Sequence, residues 1–403
     1  MIVDAVVVGG GPAGLAAAIA LAEAGVEVVV CERGEYPQDK ACGEGIQPAG
    51  VRALERLGVL PLLGPGAARP ITGVCYRAPN GVEARASFAE GPGLGVRRTV
   101  LSEALRRRAT HLRGVQLRAR CSVDRLGWDA DLVAVHTAGG TLRTRLLVGA
   151  DGLGSQVRRW CRLDGGLGRY RRWGVRQHFL TPPGDEVEIW WGPQAEVYLT
   201  PVAADVTGVA VLWNALAPKP KPSGARVLFD LLARFPALHA RFSGAEAVSD
   251  RRALGPLERR ARGAVAPGVV LIGDARGYVD AITGEGLSAA FAEATLLAEL
   301  LAPALLRARR EGGTVPLRTL RTFAARARRL TRGHRWVTRA LLAASARPWL
   351  VPALIGALST RPRVLQALLS LNMGTLRPAN APWALAADAA LSAARHRYRL
   401  TTR

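Results

Sequence analysis

Residues 1–33 read MIVDAVVVGGGPAGLAAAIALAEAGVEVVVCER. Two short β-branched runs, 2–8 (IVDAVVV) and 26–31 (VEVVVC), flank an Ala- and Leu-rich stretch at 13–24. The order is strand, helix, strand, the unit from which parallel sheets are built. Between the first strand and the helix lies GGGPAG, Gly9 to Gly14. Gly9 permits a sharp turn, Gly11 lets the backbone approach a pyrophosphate, and Gly14 allows the helix to pack closely. Pro12 and Ala13 open the helix, whose free amides suit an anion. Glu32 ends the second strand, where a carboxylate accepts hydrogen bonds from a ribose, and Arg33 follows it. This predicts an α/β chain with a Rossmann-like dinucleotide-binding unit at its start.

The 403 residues exceed the usual size of one core, so a composite domain or two domains are expected. Cys31, Cys42, Cys75, Cys121 and Cys161 form no CxxC pair and no ligand spacing, which argues against a metal site. Their scattered placement, and a first strand that begins at once, point to the reducing cytoplasm. The formal charge is +23, and residues 301–403 hold 19 arginines against Glu311 and Asp388, which is +17 of that total. Only Lys40, Lys219 and Lys221 are lysines. An enzyme-like body thus carries a basic tail.

Along the chain, 51–60 and 98–112 have helical periodicity, and 71–88 is choppy and strand-like. LVAVHT (132–137) and LRTRLLVGAD (142–151) read as a hairpin followed by a buried strand. From 173 to 214 the alternating runs GVRQHFL, VEIWWG, EVYLTPV and VTGVAVLW predict an antiparallel sheet. PKPKPSG (218–224) is a turn, VVLIGDA (269–275) returns to the parallel-strand pattern, and nearly everything after 300 is helical, punctuated by Pro303, Pro348, Pro352 and Pro362. The expected division is a discontinuous nucleotide-binding domain (1–70, 96–165 and 255–300), a substrate-binding β-sheet domain (71–95 and 166–254) and a basic helical C-terminal region (301–403).

Two further segments, GADGLGSQVR (149–158) and GDARGYVDAITGEGL (273–287), place an Asp after a buried strand and before glycine-rich backbone. With GGGPAG and RRTVLSEAL (97–105), these make four separated motifs over residues 1–300. In them the chain resembles the FAD-dependent superfamily of geranylgeranyl reductases and para-hydroxybenzoate hydroxylase-like (group A) flavin monooxygenases. The resemblance implies a glutathione-reductase-like FAD-binding domain with an inserted antiparallel sheet. It implies that Gly273 and Asp274 hold the ribityl chain, that Gly284, Glu285, Gly286 and Leu287 approach the isoalloxazine, and that Arg98 lies along the flavin. Asp151 and Gly152 belong to the motif tied to the pyrophosphate region and to pyridine nucleotides. Each Asp taken alone also reads as a helix cap.

KACGEG (Lys40 to Gly45) matches the Cys-Gly segment that borders flavin and substrate in the reductase branch. Cys42 is then near the ring and Glu44 a proton relay, or Cys42 is a small core residue and Glu44 a solvated turn residue. His178, on one strand face with Arg176, is a substrate contact, an acid/base or a structural histidine, and Tyr198 is a further catalytic candidate. His111, His136, His239, His334 and His396 have no partner pattern. Gly277 and TGEGL look reductase-like. The aromatic substrate motif of the reductases is echoed only by YLTP at Tyr198 to Pro201, and no halogenase WxWxIP motif is present. The leading expectation is NAD(P)H-dependent hydroxylation of a lipophilic aromatic. Reduction of a C=C bond in a prenyl lipid is the alternative, and a basic flavin-containing scaffold a third. NADH or NADPH would visit the flavin transiently. The tail, with Trp336 and Trp349, either touches the inner face of an anionic membrane or packs on the body, and nucleic acid is disfavoured for want of interleaved aromatics.

Overall fold

The computed structural model of the chain describes residues 2–129, 131–192, 194–214, 226–347 and 349–374. The 218–224 turn with Lys219 and Lys221, Pro348, and 375–403 with Asp388 and His396 lie outside the described residues.

Ile2–Val8 is the central strand of a parallel sheet, flanked by Val28–Cys31 and Gly140–Gly149. Val115–Arg118 and Val269–Leu271 extend the sheet on either side. These strands are almost continuously apolar because both faces are covered. On one face Ala5, Val7, Val30 and Val148 pack against the helix Pro12–Glu23, which the helix Gly286–Glu311 covers in turn through Leu297 and Leu301. The alanines of the first helix suit that position between two layers. On the other face Val6, Val29 and Leu147 meet Val133 and Val135 of the antiparallel pair Val123–Asp129 and Leu132–Thr137. The hairpin and the buried strand expected after it share one strand, since Gly140–Gly149 pairs with Leu132–Thr137 and with Ile2–Val8.

A second sheet has seven strands, ordered Arg252–Leu254, Arg172–Leu180, Val206–Asn214, Ala195–Pro201, Glu186–Gly192, Gly73–Arg77 and Glu83–Ser87. It is antiparallel except where Glu186–Gly192 runs parallel to Gly73–Arg77. One face (Val175, Phe179, Val197, Val211) is covered by the short helices Val227–Leu232 and Pro236–Phe242. Helices of six and seven residues hold too few turns for periodicity to reveal them. The other face (Val74, Ile189, Tyr198, Leu212) meets the tail helices Leu350–Ser359 and Pro362–Asn372 through Val351, Ile355, Leu365 and Leu369.

Pro303 does not interrupt the chain as expected, for it lies within the helix Gly286–Glu311. That helix is long and apolar enough to cross a membrane, yet half of its apolar window is buried inside the fold, as suits a core helix. Pro352 and Pro362 sit in first turns, where the ring costs no hydrogen bond.

Candidate active site

The glycines at the start of the chain divide their work as the sequence predicts. Gly9 has φ +101°, and a Cβ there would lie 2.6 Å from the Ala150 carbonyl oxygen. A Cβ on Gly14 would fall 1.9 Å from the Gly9 carbonyl oxygen, so only glycine lets helix and turn meet. Gly11 instead faces a cavity, and a Cβ on it would have nothing closer than 3.9 Å, where the Arg98 guanidinium and Gln38 stand. Gly11 caps the helix Pro12–Glu23 without any side-chain bond to the first turn, whose amides stay available. Glu32 is buried and pre-oriented, its carboxylate accepting from the N–H of Gly10 at 2.6 Å and of Gly34 at 2.7 Å. Arg33 is exposed beside it.

The same cavity is lined by Pro12, Ala13, Arg98, Gly152, Gly273, Asp274, Gly284, Gly286 and Leu287, so turns far apart in sequence converge on it. It holds about 1740 Å³ of atom-free space, its open mouth included. Arg98 is buried with an unpartnered Nε, a donor fit for an anionic or carbonyl-bearing ligand. The helix Gly286–Glu311 also starts here without a side-chain cap.

Two expected contacts read differently. Asp151 is absent from the lining, and its Oδ2 accepts from the N–H groups of Gln156 (2.7 Å) and Val157 (3.1 Å), capping the helix Gln156–Trp160. Glu285 brings only its neighbours' backbone to the cavity. Its carboxyl turns away to accept from Asn372 Nδ2 at 2.7 Å, and burial pushes it well above the usual carboxylate range. Lys40, quoted in sequence but given no role, lies over the cavity with its Nζ 3.7 Å from Asp274.

KACGEG is a loop clamped between the two sheets. Glu44 sits at φ +60° and is 2 % exposed, so it is no solvated turn residue. Oε1 accepts from the Arg98 N–H at 2.7 Å, and Oε2 meets His178 Nε2 at 2.5 Å. The Arg176 guanidinium stands 3.7 Å away and also pairs with Asp39, which Arg252 holds too. These bonds anchor the loop, and Glu44 also lines the cavity, where its bond to His178 leaves the proton-relay expectation open. His178 is likewise corrected as a substrate contact: it is buried behind Glu44, its Nδ1 is 2.7 Å from Ser249 Oγ, and it does not line the cavity. Cys42 does line the cavity, half-buried, and its Sγ accepts from the Glu44 N–H at 3.4 Å.

Beyond Cys42 the cavity continues into a chamber walled by the second sheet and the tail: Val74, Phe88, Ile189, Leu212, Leu254 and Leu369. Tyr198 closes it, its hydroxyl donating to the Ile282 carbonyl at 3.0 Å. Burial raises Tyr198 well above the usual phenol range and Tyr76 to about 12, so both stay protonated at neutral pH. Asn372, Gln47 and Tyr278 also line the cavity and were not found from sequence. Only the fold brings Asn372, at the end of the last described helix, to the first domain's turns.

A Rossmann-type unit whose glycine turns and uncapped helix ends open on one cavity beside a second sheet defines a nucleotide-binding architecture. The sequence profile described as FAD binding domain matches residues 2–319, and the chain belongs to that family. It is 55 % identical over 56 residues to a menaquinone reductase of Mycolicibacterium smegmatis, a match covering 14 % of each chain. It is 37 % identical over 169 residues to the ubiquinone hydroxylase UbiL of Rhodospirillum rubrum, 39 % of each chain. Against the chloroplastic geranylgeranyl diphosphate reductase of Oryza sativa subsp. japonica it is 31 % identical over 325 residues, 73 % of this chain and 65 % of that one. The matched stretches thus span less than two thirds of each of these relatives. Among solved structures, a flavoprotein/dehydrogenase from Cytophaga hutchinsonii superposes with a TM-score of 0.81 at 19 % identity, over 97 % of this chain and 99 % of that one, a likeness of fold.

Proposed function

We propose that the protein reduces a C=C bond of a lipophilic, prenyl-type substrate, with NAD(P)H as the source of electrons. One observation carries this reading: the flavin-side turns open into an apolar chamber whose border presents the Cys42 thiol. The residues present fit FAD. Gly9, Gly11 and Gly14 make room for its pyrophosphate, Glu32 offers acceptors to a ribose, Asp274 stands at the ribityl position, and Arg98 supplies an unengaged donor. FAD, when bound and reduced, supplies a hydride to one alkene carbon. Cys42 then gives the proton to the other, its own S–H being unused in the bond it accepts from the Glu44 amide. The chamber walls exclude water and align the alkene.

Hydroxylation, the leading expectation from sequence, fits this chamber less well. Activation of a phenol calls for a nearby base; both tyrosines are held protonated, and the carboxylates on the lining are Asp274, beside Lys40, and Glu44, which the Arg98 amide and His178 already engage. The partial match to a ubiquinone hydroxylase supports it as the second reading. Anaerobic turnover separates the two. Dithionite-reduced enzyme with a geranylgeranyl substrate should give the saturated product without O₂, and Cys42→Ala should slow this about a hundredfold while retaining bound FAD. Product formed only with O₂ would overturn the reading in favour of hydroxylation. A rate unchanged in Cys42→Ala would remove the thiol from the chemistry.

A further inference from the structure

The main cavity does not end at the second sheet. Tyr76, Thr283, Leu369 and Asn372 line it and also line a second compartment, which holds about 650 Å³ of atom-free space with its opening to solvent included. That compartment lies among the helices Arg332–Ser345, Leu350–Ser359 and Pro362–Asn372, walled by Leu341, Val351, Leu354, Ile355, Leu358 and Leu368. Its wall is largely aliphatic, with Trp191 and its unpartnered indole N–H among the lining, and the shared residues form a neck toward the main cavity.

The neck is polar. Gln47 and Asn372 are 9 % and 7 % exposed, and each points an amide N–H toward the Thr283 carbonyl at 3.4 Å. Asn372 Nδ2 also donates to Glu285 Oε1 at 2.7 Å, the shorter of its two bonds. As the two amides are placed, Gln47 Oε1 and Asn372 Oδ1 are buried acceptors with no donor. An acceptor buried without a partner is costly, and a ligand hydroxyl would remove that cost.

We propose that the compartment among the tail helices receives the hydrocarbon chain of the substrate, and that Gln47 and Asn372 accept a hydrogen bond from a hydroxyl at the chain's inner end. The ligand class is therefore a long-chain alcohol or phenol, an amphiphile with one donor and an extended aliphatic tail. This rests on the chamber being the substrate site and is independent of the reaction performed there.

The test uses full-length protein with FAD bound and a series of 1-alkanols from six to sixteen carbons, read as a shift in the visible flavin spectrum. Binding should tighten roughly fourfold per added CH₂ until the compartment is filled. Ala344→Trp and Leu368→Trp, whose side chains enlarge into the compartment, should end that rise several carbons earlier and leave six-carbon binding unchanged. Gln47→Leu and Asn372→Leu should abolish the preference for an alcohol over its methyl ether, with FAD absorbance reporting that each variant is folded. An unchanged chain-length profile in both Trp variants would overturn the proposal, as would a wild type indifferent to chain length. Chain-length-dependent binding without reduction of any alkene would leave this inference standing while the proposed reaction fell.

Discussion

Glu44 shows how one side chain ties a helix N-terminus to the second sheet. Its carboxylate joins the N-terminal amide of the helix Arg98–Thr110 to His178 on the second sheet, with Arg176 close by, and solvent is excluded. Removing one partner of such a cluster leaves charge and donors buried without compensation. Glu44→Ala should lower unfolding stability by about 3 kcal/mol and release part of the bound FAD, because Arg98 loses its anchor. Chemical denaturation and the 450 nm flavin absorbance measure both, and unaltered stability would show the cluster to be energetically neutral. Sequence placed Cys42 and Glu44 on one loop but left their duties open. A loop's side chains take their environment from whatever packs over it, and here that is a strand more than 130 residues away.

Among elements, the helix Gln156–Trp160 takes one oxygen of Asp151, Oδ2, while Oδ1 is buried without a partner. Asp151 and Ser155 both bond its first turn, so Asp151 caps a helix while its neighbour Gly152 faces the cavity. Asp151→Ala should cost about 1 kcal/mol of stability and leave FAD affinity unchanged in a fluorescence titration. A large loss of FAD affinity would restore Asp151 to the cofactor site. The parallel strands, their helices and the alternating strands of the second sheet were legible because hydrophobic period and turn residues are local properties. The helices Val227–Leu232 and Pro236–Phe242 were not, since each exists by covering Phe179 and Val197 rather than by its own pattern.

For the whole molecule, the basic tail is part of the body through residue 374, and its helices complete the apolar chamber. Their outward side still carries exposed Arg328, Arg329, Arg332 and Arg339 beside Leu330, Trp336 and Trp349. We propose that this side rests on an anionic bilayer at the inner face of the membrane, which would bring the aliphatic compartment toward a lipid source. Full-length protein should float with phosphatidylserine vesicles at low salt. Replacing the four arginines by glutamate should reduce the floated fraction more than tenfold, since each contributes about 1 kcal/mol near such a surface. Equal recovery with neutral vesicles, or no effect of the substitutions, would end the idea.

The sequence alone determined the FAD-binding architecture, because glycine spacing, strand composition and the terminal acid are requirements written into consecutive residues. It also determined the alternating sheet and the helical tail, for the same local reason. Only tertiary structure decided that Glu44 and His178 are anchors, that Glu285 turns from the cavity, and that Asn372 reaches it. Those outcomes depend on which distant surfaces meet, and the burial and hydrogen-bond partners that fix a side chain's chemistry exist only after they have met.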